Sequence, residues 1–395
     1  MTTARHPENK EIKGIGCLCA LGGDLPTCMK NLYSGKRKNG LPTGFTTDRP
    51  DTYPVFETDN NHIRYGPDST ELSRTARLAL SAAEEAIRDS GFSRDELSSM
   101  RVGVAVGTTV GSTLNNENFY RRFCNGEHPE LLEINRFLNS NPAEAISREF
   151  ELNGPVQTVV NACSSGADAI GIGMSWLDAG LCDLVIAGGA DELSRISYLG
   201  FISLMISDPE PCRPFDRTRQ GLNLGEGAAM LLLSKKQPKN QSGRYCELAG
   251  YASACDAYHL TAPHPQGNGL KKALNSILQK TGDPLENIAF VNAHGTGTQD
   301  NDKVEMQVLS ELLPGIPYFS IKGGTGHTLG AAGAIEAAVT AACLVRGQIP
   351  GSIGFSVAEK DTHPPLENNA EITRRFAISQ SLAFGGNNAV LLFKR

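Results

Sequence analysis

The sequence predicts an α/β protein made of two similar halves. Aliphatic runs of strand length alternate with helical patterns along nearly the whole chain, which is typical of mostly parallel sheets packed between helices. Each half also ends alike, with small residues before an aliphatic strand and a basic end: GEGAAMLLLSKK at 225–236 and GGNNAVLLFKR at 385–395. The polar segment KKQPKNQSG at 235–243 is the best candidate boundary. We therefore predict an N-terminal half at 1–243 and a C-terminal half at 244–395.

The N-terminal half opens with a predicted strand at 12–21. A polar stretch with little periodicity follows to about residue 67, and we interpret it as surface loop. Apolar and alanine residues at helical spacing then predict a helix at 72–90, which ends at Gly91. The other predicted elements of this half are a strand at 102–106, a helical region at 113–150 broken at Asn141, a strand at 156–160, a helix after residue 163, and strands at 184–186 and 228–233.

The C-terminal half repeats the alternation of strands and helices. Its predicted strands are at 245–251, 288–292, 318–321 and 389–393, and its predicted helices are at 269–280, 304–312 and 330–346. Loops at the ends of such strands are where α/β proteins place their functional sites.

The segment at 159–180, VVNACSSGADAIGIGMSWLDAG, places Cys163 at a tight turn between a strand and a helix. A helix N-terminus carries partial positive charge and free N–H groups, so we expect a thiol there to ionise more easily and act as a nucleophile. The small residues at 164–167 leave the sulfur accessible. The alternative is a buried structural cysteine, which is the usual role of a free cysteine.

Two histidines occupy similar settings in the C-terminal half. His294 follows an aliphatic strand in FVNAHGTGTQDND, and His327 lies in FSIKGGTGHTLGAAGAIE between a strand and a small-residue helix. Both therefore lie in glycine- and threonine-rich turns at strand ends. Six histidines lack this setting and are assigned structural roles: His6, His62, His128, His259, His264 and His363.

Lys322 and Glu336 flank His327 and form a possible buried pair that tunes the protonation of the histidines; the alternative is a surface lysine and an exposed glutamate. The turn LAFGGNN at 382–388 contains Phe384 and flexible glycines, and its N–H groups could bind an oxyanion. The residues thus point to a cysteine nucleophile with two histidines and to acyl transfer through a thioester. The same residues are also compatible with a hydrolase or a non-catalytic relative.

Composition excludes several classes of protein. Hydrophobic residues make up 40% of the chain and charged residues 20%, as in folded globular proteins. The net charge of −6 argues against a general nucleic-acid binder. No apolar run approaches the ~20 residues that cross a bilayer, and the polar N-terminal segment lacks the apolar core of a signal peptide. Ten cysteines without paired spacing predict reduced thiols and a cytoplasmic location, and the absence of CxxC and HExxH motifs predicts no metal site.

Taken together, the motifs resemble those of the β-ketoacyl-acyl carrier protein synthases, the elongating condensing enzymes of the thiolase superfamily. The resemblance covers nearly the whole chain and rests on NACSSG, RPFDRTRQGLNLGEGA, DAYH, NAHGTGT with Asn301, Asp302 and Glu305 after it, IKGGTGHTLGAAGAIE, and AFGGNN, in the expected order. It implies a thiolase-like fold of five layers, α-β-α-β-α, with two duplicated halves.

The resemblance also implies a two-stage mechanism. Cys163 would accept an acyl chain from an acyl carrier protein as a thioester, and malonyl carrier protein would then lose CO₂ to give the attacking carbanion. His294 and His327 would stabilise the enolate by hydrogen bonds to the thioester oxygen. The backbone N–H groups of Cys163 and Phe384 would form the oxyanion hole for the acyl transfers.

Further roles follow from the same resemblance. Thr296 and Thr298 would bind the phosphopantetheine arm, Phe384 would act as a gate, Val110 would face the acyl pocket, and Lys322 with Glu336 would support the histidines. No metal or redox cofactor is implied, because the 4′-phosphopantetheine arrives on the carrier protein. The expected assembly is a homodimer, or a heterodimer with a homologue resembling a chain length factor.

Three departures from the family pattern concern substrate choice. Leu382 stands where an aromatic residue is usual, Asn223 where an apolar one is, and the turn GTTVGST carries extra threonines. These features are compatible with a specialised polyketide or polyene synthase as well as with a fatty-acid enzyme.

Other members of the superfamily fit less well. A thiolase needs a second cysteine in the C-terminal glycine turn, which here reads AFGGNN. An initiating synthase pairs one histidine with one asparagine, whereas this chain has two histidines in its motifs. A chain-length-factor-like subunit loses its nucleophile, although this chain could be the active half of a heterodimer.

Because carrier proteins are acidic, a basic patch that docks them is expected on this chain. The alternative is that the candidate arginines only form a solvated helix face. The candidates are Arg64, Arg74, Arg77, Arg121 and Arg122.

Overall fold

A computed structural model describes residues 10–65, 72–109, 116–235, 245–281, 285–360 and 362–395. The boundary predicted at 243/244 lies outside the described residues, and so does Val110, the predicted acyl-pocket residue.

Ten strands form one sheet in which each half of the chain supplies five neighbouring strands. The N-terminal strands are β1 (Lys10–Cys19), β2 (Val102–Gly107), β3 (Val156–Val159), β4 (Leu184–Asp191) and β5 (Gly227–Ser234). The C-terminal strands are β6 (Glu247–Cys255), β7 (Ile288–Asn292), β8 (Tyr318–Phe319), β11 (Phe376–Ala383) and β12 (Asn387–Lys394). Two short strands, β9 (Gln348–Ile349) and β10 (Ala370–Glu371), pair separately.

The two sets of five strands have the same topology. The N-terminal order is β3-β2-β4-β5-β1, and the C-terminal order, taken from the opposite edge, is β8-β7-β11-β12-β6. When the strands of each set are counted in chain order, the second strand pairs in parallel with the third and with the fourth. The fifth strand pairs in antiparallel fashion with the fourth and with the first. Short pairing between β1 and β6 joins the two sets. The repeated order confirms the prediction of two duplicated halves.

Helices cover both faces of the strands. The helices are α1 (Leu25–Tyr33), α2 (Arg74–Ser90), α3 (Arg94–Ser98), α4 (Glu117–Cys124), α5 (Leu132–Asn139), α6 (Pro142–Glu149), α7 (Ser165–Asp178), α8 (Arg195–Ser203), α9 (Asn268–Thr281), α10 (Gln299–Leu312), α11 (Lys322–Thr325) and α12 (Ala332–Arg346). Helices α2 and α6 pack on the outer face of the N-terminal strands, and α9 packs on the outer face of β6 and β12. Helices α7 and α12 lie between the two sets of strands. The predicted α-β-α-β-α layering is thus confirmed.

Side chains that alternate along the strands divide the core among these layers. In β12, Leu391 and Phe393 face the central helices, whereas Val390 and Leu392 face the outer helices of the C-terminal half. Strand β5 alternates in the same way between the central core and the outer core of the N-terminal half. Each fully buried leucine of this kind contributes roughly 1.5–3 kcal/mol to folding.

Strand β1 uses glycine where helix α2 crosses it. A Cβ atom at Gly14 would lie 2.1 Å from the carbonyl oxygen of Ala86, and one at Gly16 would lie 1.9 Å from that of Ala82. Only glycine therefore permits the backbones of β1 and α2 to approach this closely.

The predicted loop before residue 67 contains helix α1, so that part of the prediction is wrong. Asp24 caps the helix by accepting a hydrogen bond from the backbone N–H of Thr27, and Pro26 lies in the first turn. Strand β11 was not predicted, because its buried sequence FAISQSLA includes three polar residues. Its Gln380 and Ser381 bond to buried carboxylates instead of water.

One segment in the described part of the chain, Leu329–Arg346, is apolar and long enough to cross a membrane. It consists of α12 and the turn before it, and 83% of it is buried inside the protein. Its position between the two sets of strands makes it a core helix.

Candidate active site

The turn that carries Cys163 joins β3 to α7, as predicted. Ala162 has a φ of +49°, a left-handed conformation that costs about 1–2 kcal/mol for a residue other than glycine. The Ser165 hydroxyl stabilises this turn, since it accepts from the backbone N–H of Asn161 at 2.8 Å and donates to the carbonyl of Ala162 at 2.6 Å. Cys163 follows immediately and directly precedes Ser164, the N-cap of α7, and it has a relative exposure of 5%.

The surroundings of the Cys163 thiol act on its pKa in opposite directions. Burial raises its pKa to about 12, while the charge of Lys322 and the backbone N–H of Phe384, which hydrogen-bonds the sulfur, act in the opposite direction. Burial thus opposes the ionisation that the helix N-terminus is expected to favour.

His294 is held by a buried carboxylate. Glu305 accepts the backbone N–H of His294 at 2.6 Å and that of Gly295 at 2.7 Å. Gln380 from β11 donates to the same carboxylate at 2.6 Å. The backbone that presents the imidazole is thus connected to the C-terminal sheet.

His327 is held by a backbone segment of the N-terminal half. Its N–H donates to the carbonyl of Asn223 at 2.7 Å, and its carbonyl accepts from Gly225 at 3.0 Å. The side chain of Asn223 bonds to the backbones of Cys212 and Asp208 and is fully buried. Asn223, which departs from the family pattern, therefore has a structural role, and it does not line the cavity between Cys163 and the two histidines.

The two imidazole rings lie edge to face, with centroids 5.2 Å apart and planes at 84°. Burial and the nearby charge of Lys322 keep the pKa of both rings well below the usual histidine range, so both are neutral. The Nδ1 atom of His327 accepts the backbone N–H of Leu329 at 3.3 Å, and that of His294 lies 3.1 Å from Nζ of Lys322. Since both Nδ1 atoms act as acceptors, each ring carries its proton on Nε2.

Lys322 and Glu336 form a buried ion pair beside His294. The three N–H donors of the Lys322 ammonium group reach Nδ1 of His294, the carbonyl of His294 at 2.5 Å, and a carboxylate oxygen of Glu336. Ser381 donates to the other oxygen of Glu336 at 3.3 Å. Burial raises the pKa of Glu336, and Lys322 opposes that shift by favouring the carboxylate.

The loop after His294 contains the two predicted arm-binding threonines. Their hydroxyls lie 2.9 Å apart, and Asp302 accepts the backbone N–H groups of Thr296 and Gly297 at 3.0 and 3.1 Å. Gly297 has a φ of +87°, and a Cβ there would lie 2.6 Å from the carbonyl oxygen of Gly221. The glycine between Thr296 and Thr298 is thus required by the loop itself.

Phe384 begins the glycine turn between β11 and β12. Its ring stacks on that of Phe201, with centroids 5.7 Å apart and planes at 16°. Gly385 and Gly386 adopt φ values of +83° and +78°, which permit the chain to reverse directly after Phe384. The turn therefore presents a backbone N–H to the Cys163 sulfur and an aromatic ring to Phe201.

These elements enclose a cavity of about 250 Å³. The predicted site residues that line it are Cys163, His294, His327, Thr296, Thr298 and Phe384. Lys322 and Glu336 do not line it and lie behind His294. Other lining residues were not predicted from the sequence, among them Phe201, Leu204 and Leu222. Phe201 and Leu204 belong to the α8 region, where no helix was predicted.

Four of the five arginines proposed as a basic patch have acidic partners in the same chain. Arg74 bonds to Glu226, and ion pairs join Arg64 to Glu84, Arg121 to Glu117 and Arg122 to Glu127. Burial lowers the pKa of Arg77, which is half-buried. These arginines therefore provide less free positive charge than the sequence suggests.

Most of the chain matches the two domain models of one protein family. Residues 11–239 match the model of the beta-ketoacyl synthase N-terminal domain, and residues 245–356 match that of the C-terminal domain. A putative polyketide beta-ketoacyl synthase 1 from Streptomyces cyaneus is 32% identical over 408 residues, which span 96% of this chain and 97% of the relative. The 3-oxoacyl-[acyl-carrier-protein] synthase 2 of a Synechocystis species is 29% identical and covers 97% of both chains.

Solved ketosynthases have the same fold. The ishigamide ketosynthase/chain length factor matches with a TM-score of 0.91 and 27% identity over 98% of this chain and 99% of that one. The ketosynthase ApeO from Xenorhabdus doucetiae, solved in complex with its chain length factor ApeC, matches with a TM-score of 0.84 and 30% identity over 100% of both chains. The chain therefore belongs to the β-ketoacyl synthase family and is an acyl-transferring condensing enzyme of fatty-acid or polyketide biosynthesis.

Proposed function

We propose that the chain elongates an acyl group held on Cys163 by decarboxylative condensation with malonyl carrier protein. The observation that carries this proposal is the convergence of one thiol and two neutral imidazoles on a single cavity. In the first stage the Cys163 sulfur attacks the acyl thioester of a carrier protein. The new carbon–sulfur bond replaces the bond to the pantetheine sulfur, which leaves with the proton that Cys163 gives up.

The oxyanion of this transfer is proposed to bind the backbone N–H groups of Cys163 and Phe384. The Phe384 N–H already hydrogen-bonds the resting sulfur, which supports its position next to the reacting carbon. Cys163 directly precedes Ser164, the N-cap of α7, so its N–H lies next to the end of the helix at which the dipole favours negative charge. Donors fixed in this way stabilise charge that develops only in the transition state.

In the second stage His294 and His327 are proposed to stabilise the enolate. Breaking the bond to the carboxylate of malonyl carrier protein releases CO₂ and leaves negative charge on the thioester oxygen. Two neutral rings with protons on Nε2 can each donate a hydrogen bond to that oxygen. The enolate carbon then attacks the acyl thioester, and the Cys163 sulfur leaves. No metal or redox cofactor enters these steps.

The partner in both stages is proposed to be an acyl carrier protein. Its phosphopantetheine arm carries amide groups, and the hydroxyls of Thr296 and Thr298 line the cavity where those amides would pass. We also propose a cytoplasmic location, since all ten cysteines are free thiols.

We propose that the chain acts as a dimer through the β3 edge. Strand β3 ends the sheet and presents an unpaired edge in the described part of the chain, and Val160 beside it is 69% exposed. Asn141, the N-cap of α6, joins this edge to that helix, because its side chain accepts from the Thr158 hydroxyl at 2.7 Å as well as from the first turn of α6. Helices α4 and α5 expose further large apolar side chains, namely Tyr120, Phe123, Leu132 and Leu138. The partner is a second copy or a homologue resembling a chain length factor.

The dimer is tested by measuring mass in solution for Val160→Asp, alone and mixed with such a homologue. Leu285→Asp is the control, because this residue is also partly exposed but lies in the C-terminal half. Loss of association in Val160→Asp alone supports the proposed edge, whereas no association of the unmodified protein in either condition contradicts it.

The acyl chain is proposed to be unsaturated or aryl-ended. Phe201 and Phe384 present flat stacked rings to the cavity, which suit a conjugated planar chain, and Leu382 in the lining is smaller than the aromatic residue usual there. Similarity to a putative polyketide synthase and to ketosynthases with chain length factors supports this choice. Faster acylation by saturated chains would instead favour fatty-acid synthesis.

Intact-protein mass spectrometry tests the central proposal. Wild type, Cys163→Ala and Cys124→Ala are incubated with carrier proteins that bear different acyl chains. A thioester adduct on wild type and on Cys124→Ala, but not on Cys163→Ala, is expected, because Cys124 is exposed and outside the cavity. No adduct on wild type with any chain or partner would leave a non-catalytic subunit as the better description.

A further inference from the structure

A polar network centred on the buried Asp168 connects residues on either side of Cys163. The carboxylate of Asp168, in the first turns of α7, accepts the Tyr251 hydroxyl at 2.7 Å on one oxygen. Its other oxygen accepts the Asn161 side-chain amide at 2.5 Å and lies 2.8 Å from the Ser164 hydroxyl. Asn161 and Ser164 flank Ala162 and Cys163. The carboxylate therefore contacts both sides of the nucleophile turn.

The network continues from the N-terminal half into the glycine turn of the C-terminal half. The side-chain carbonyl of Asn161 accepts the amide of Asn387 at 2.7 Å, and the same amide lies 3.4 Å from the backbone carbonyl of Phe384. Tyr251 belongs to β6, so the network reaches the C-terminal half a second time. Neither connection involves a group that the proposed chemical steps use.

The charge of Asp168 fixes the direction of every hydrogen bond in the series. A carboxylate only accepts, so Asn161 must turn its NH₂ group towards Asp168 and its carbonyl towards Asn387. Asn387 must in turn present its NH₂ group. Replacing the carboxylate by an amide would let the Asn161 side chain flip and face Asn387 with the wrong group.

We propose that Asp168 is a positioning residue that holds the two oxyanion donors, the N–H groups of Cys163 and Phe384, at their working separation. The inference rests on the proposed function, which places one oxyanion donor in the turn of Cys163 and the other in the turn of Phe384. The network joins these two turns. It also explains how the left-handed backbone of Ala162 persists, because Asn161 before it and Ser164 two residues after it contact the same carboxylate.

The test compares Asp168→Asn with Asp178→Asn, a control on the same helix whose carboxylate pairs with Lys10 instead. We expect Asp168→Asn to slow acylation of Cys163 by about ten- to a hundredfold, less than complete removal of an oxyanion donor. The loss should fall on kcat with little change in KM for the acyl carrier protein. Decarboxylation of malonyl carrier protein, which depends on the histidines, should change less than threefold, whereas a merely structural defect would lower both rates together.

Asn387→Ala provides a second variant in case Asp168→Asn folds poorly. This variant interrupts the same network at its other end, so the acylation rate should fall to a similar extent. The double variant Asp168→Asn/Asn387→Ala should acylate no more slowly than the slower of the two single variants. Acylation of Asp168→Asn at the wild-type rate, or equal loss of acylation and decarboxylation, overturns the inference. Failure of wild type itself to form an acyl adduct would instead overturn the proposed function.

Discussion

The Nζ atom of Lys322 lies 3.1 Å from Nδ1 of His294 and donates to a carboxylate oxygen of Glu336 on its other side. The contact with Lys322 determines which nitrogen of His294 carries the proton. The ion pair also neutralises the charges of Lys322 and Glu336, whose side chains are at most 2% exposed. The pair therefore affects both catalysis and stability, and variants can separate the two effects.

Lys322→Met is expected to destabilise the protein by about 3–5 kcal/mol, because it leaves the carboxyl group of Glu336 buried without its partner. It should also slow malonyl decarboxylation at least tenfold, since His294 loses the donor that sets its tautomer. Urea unfolding measures the first effect and CO₂ release the second.

The double variant Lys322→Met/Glu336→Gln is the control. Removing the unpaired carboxyl should restore most of the lost stability, whereas decarboxylation should stay slow. Full activity in either variant would show that His294 does not need Lys322 to hold its proton on Nε2.

The tautomer of His327 leads to a prediction about its replacements. A glutamine side chain can place an N–H near the position of Nε2, whereas alanine has no donor. We expect His327→Ala to lower the decarboxylation rate by about a hundredfold or more, and His327→Gln to recover at least tenfold of that loss. Equal rates for the two variants would mean that the ring contributes something other than a hydrogen bond.

The same glutamine variant isolates the effect of pH on stability. The pKa of His327 is lower in the folded protein than in the unfolded chain, where it is about 6.5. As the pH falls below 6.5, protons bind the unfolded chain first, so wild type loses stability relative to His327→Gln, by up to about 1.4 kcal/mol per pH unit.

Above pH 7.5 the difference in unfolding free energy between the two proteins should be constant. Urea unfolding at several pH values between 5 and 8 provides the measurement. A constant difference over the whole range would contradict the low pKa assigned to the buried ring.

Much of the site was predictable from the sequence because its residues lie in short local patterns. Cys163 and His294 each follow a strand in a small-residue turn, and such turns at strand ends meet in α/β folds. His327 lies in a similar turn, but the short helix α11 separates it from strand β8. Strand β11 had no such signal, since Gln380 and Ser381 interrupt its apolar run and find buried carboxylate partners only in the folded protein.

The network of Asp168 shows the limit of local patterns most clearly. An acidic residue in a helix of small and apolar residues, SGADAIGIG, is a signal that the sequence does contain. Its partners Tyr251 and Asn387 are distant in the chain, so only the fold reveals what the carboxylate binds. The burial of Cys163 was not predictable for a similar reason, because it depends on the whole structure whereas the helix N-terminus is visible locally.

The pH dependence of Cys163 alkylation tests whether burial or the helix N-terminus has the larger effect on the thiol pKa. Because burial raises the thiol pKa to about 12, the rate of alkylation by iodoacetamide should rise about tenfold per pH unit from pH 7 to 9, without a plateau. Peptide mass spectrometry separates this site from the exposed thiols of Cys124 and Cys255. Lys322→Met should react more slowly at each pH, since the ammonium charge favours the thiolate. A plateau below pH 8 would show that the helix N-terminus and the Phe384 N–H outweigh burial, and that the enzyme rests with its nucleophile already ionised.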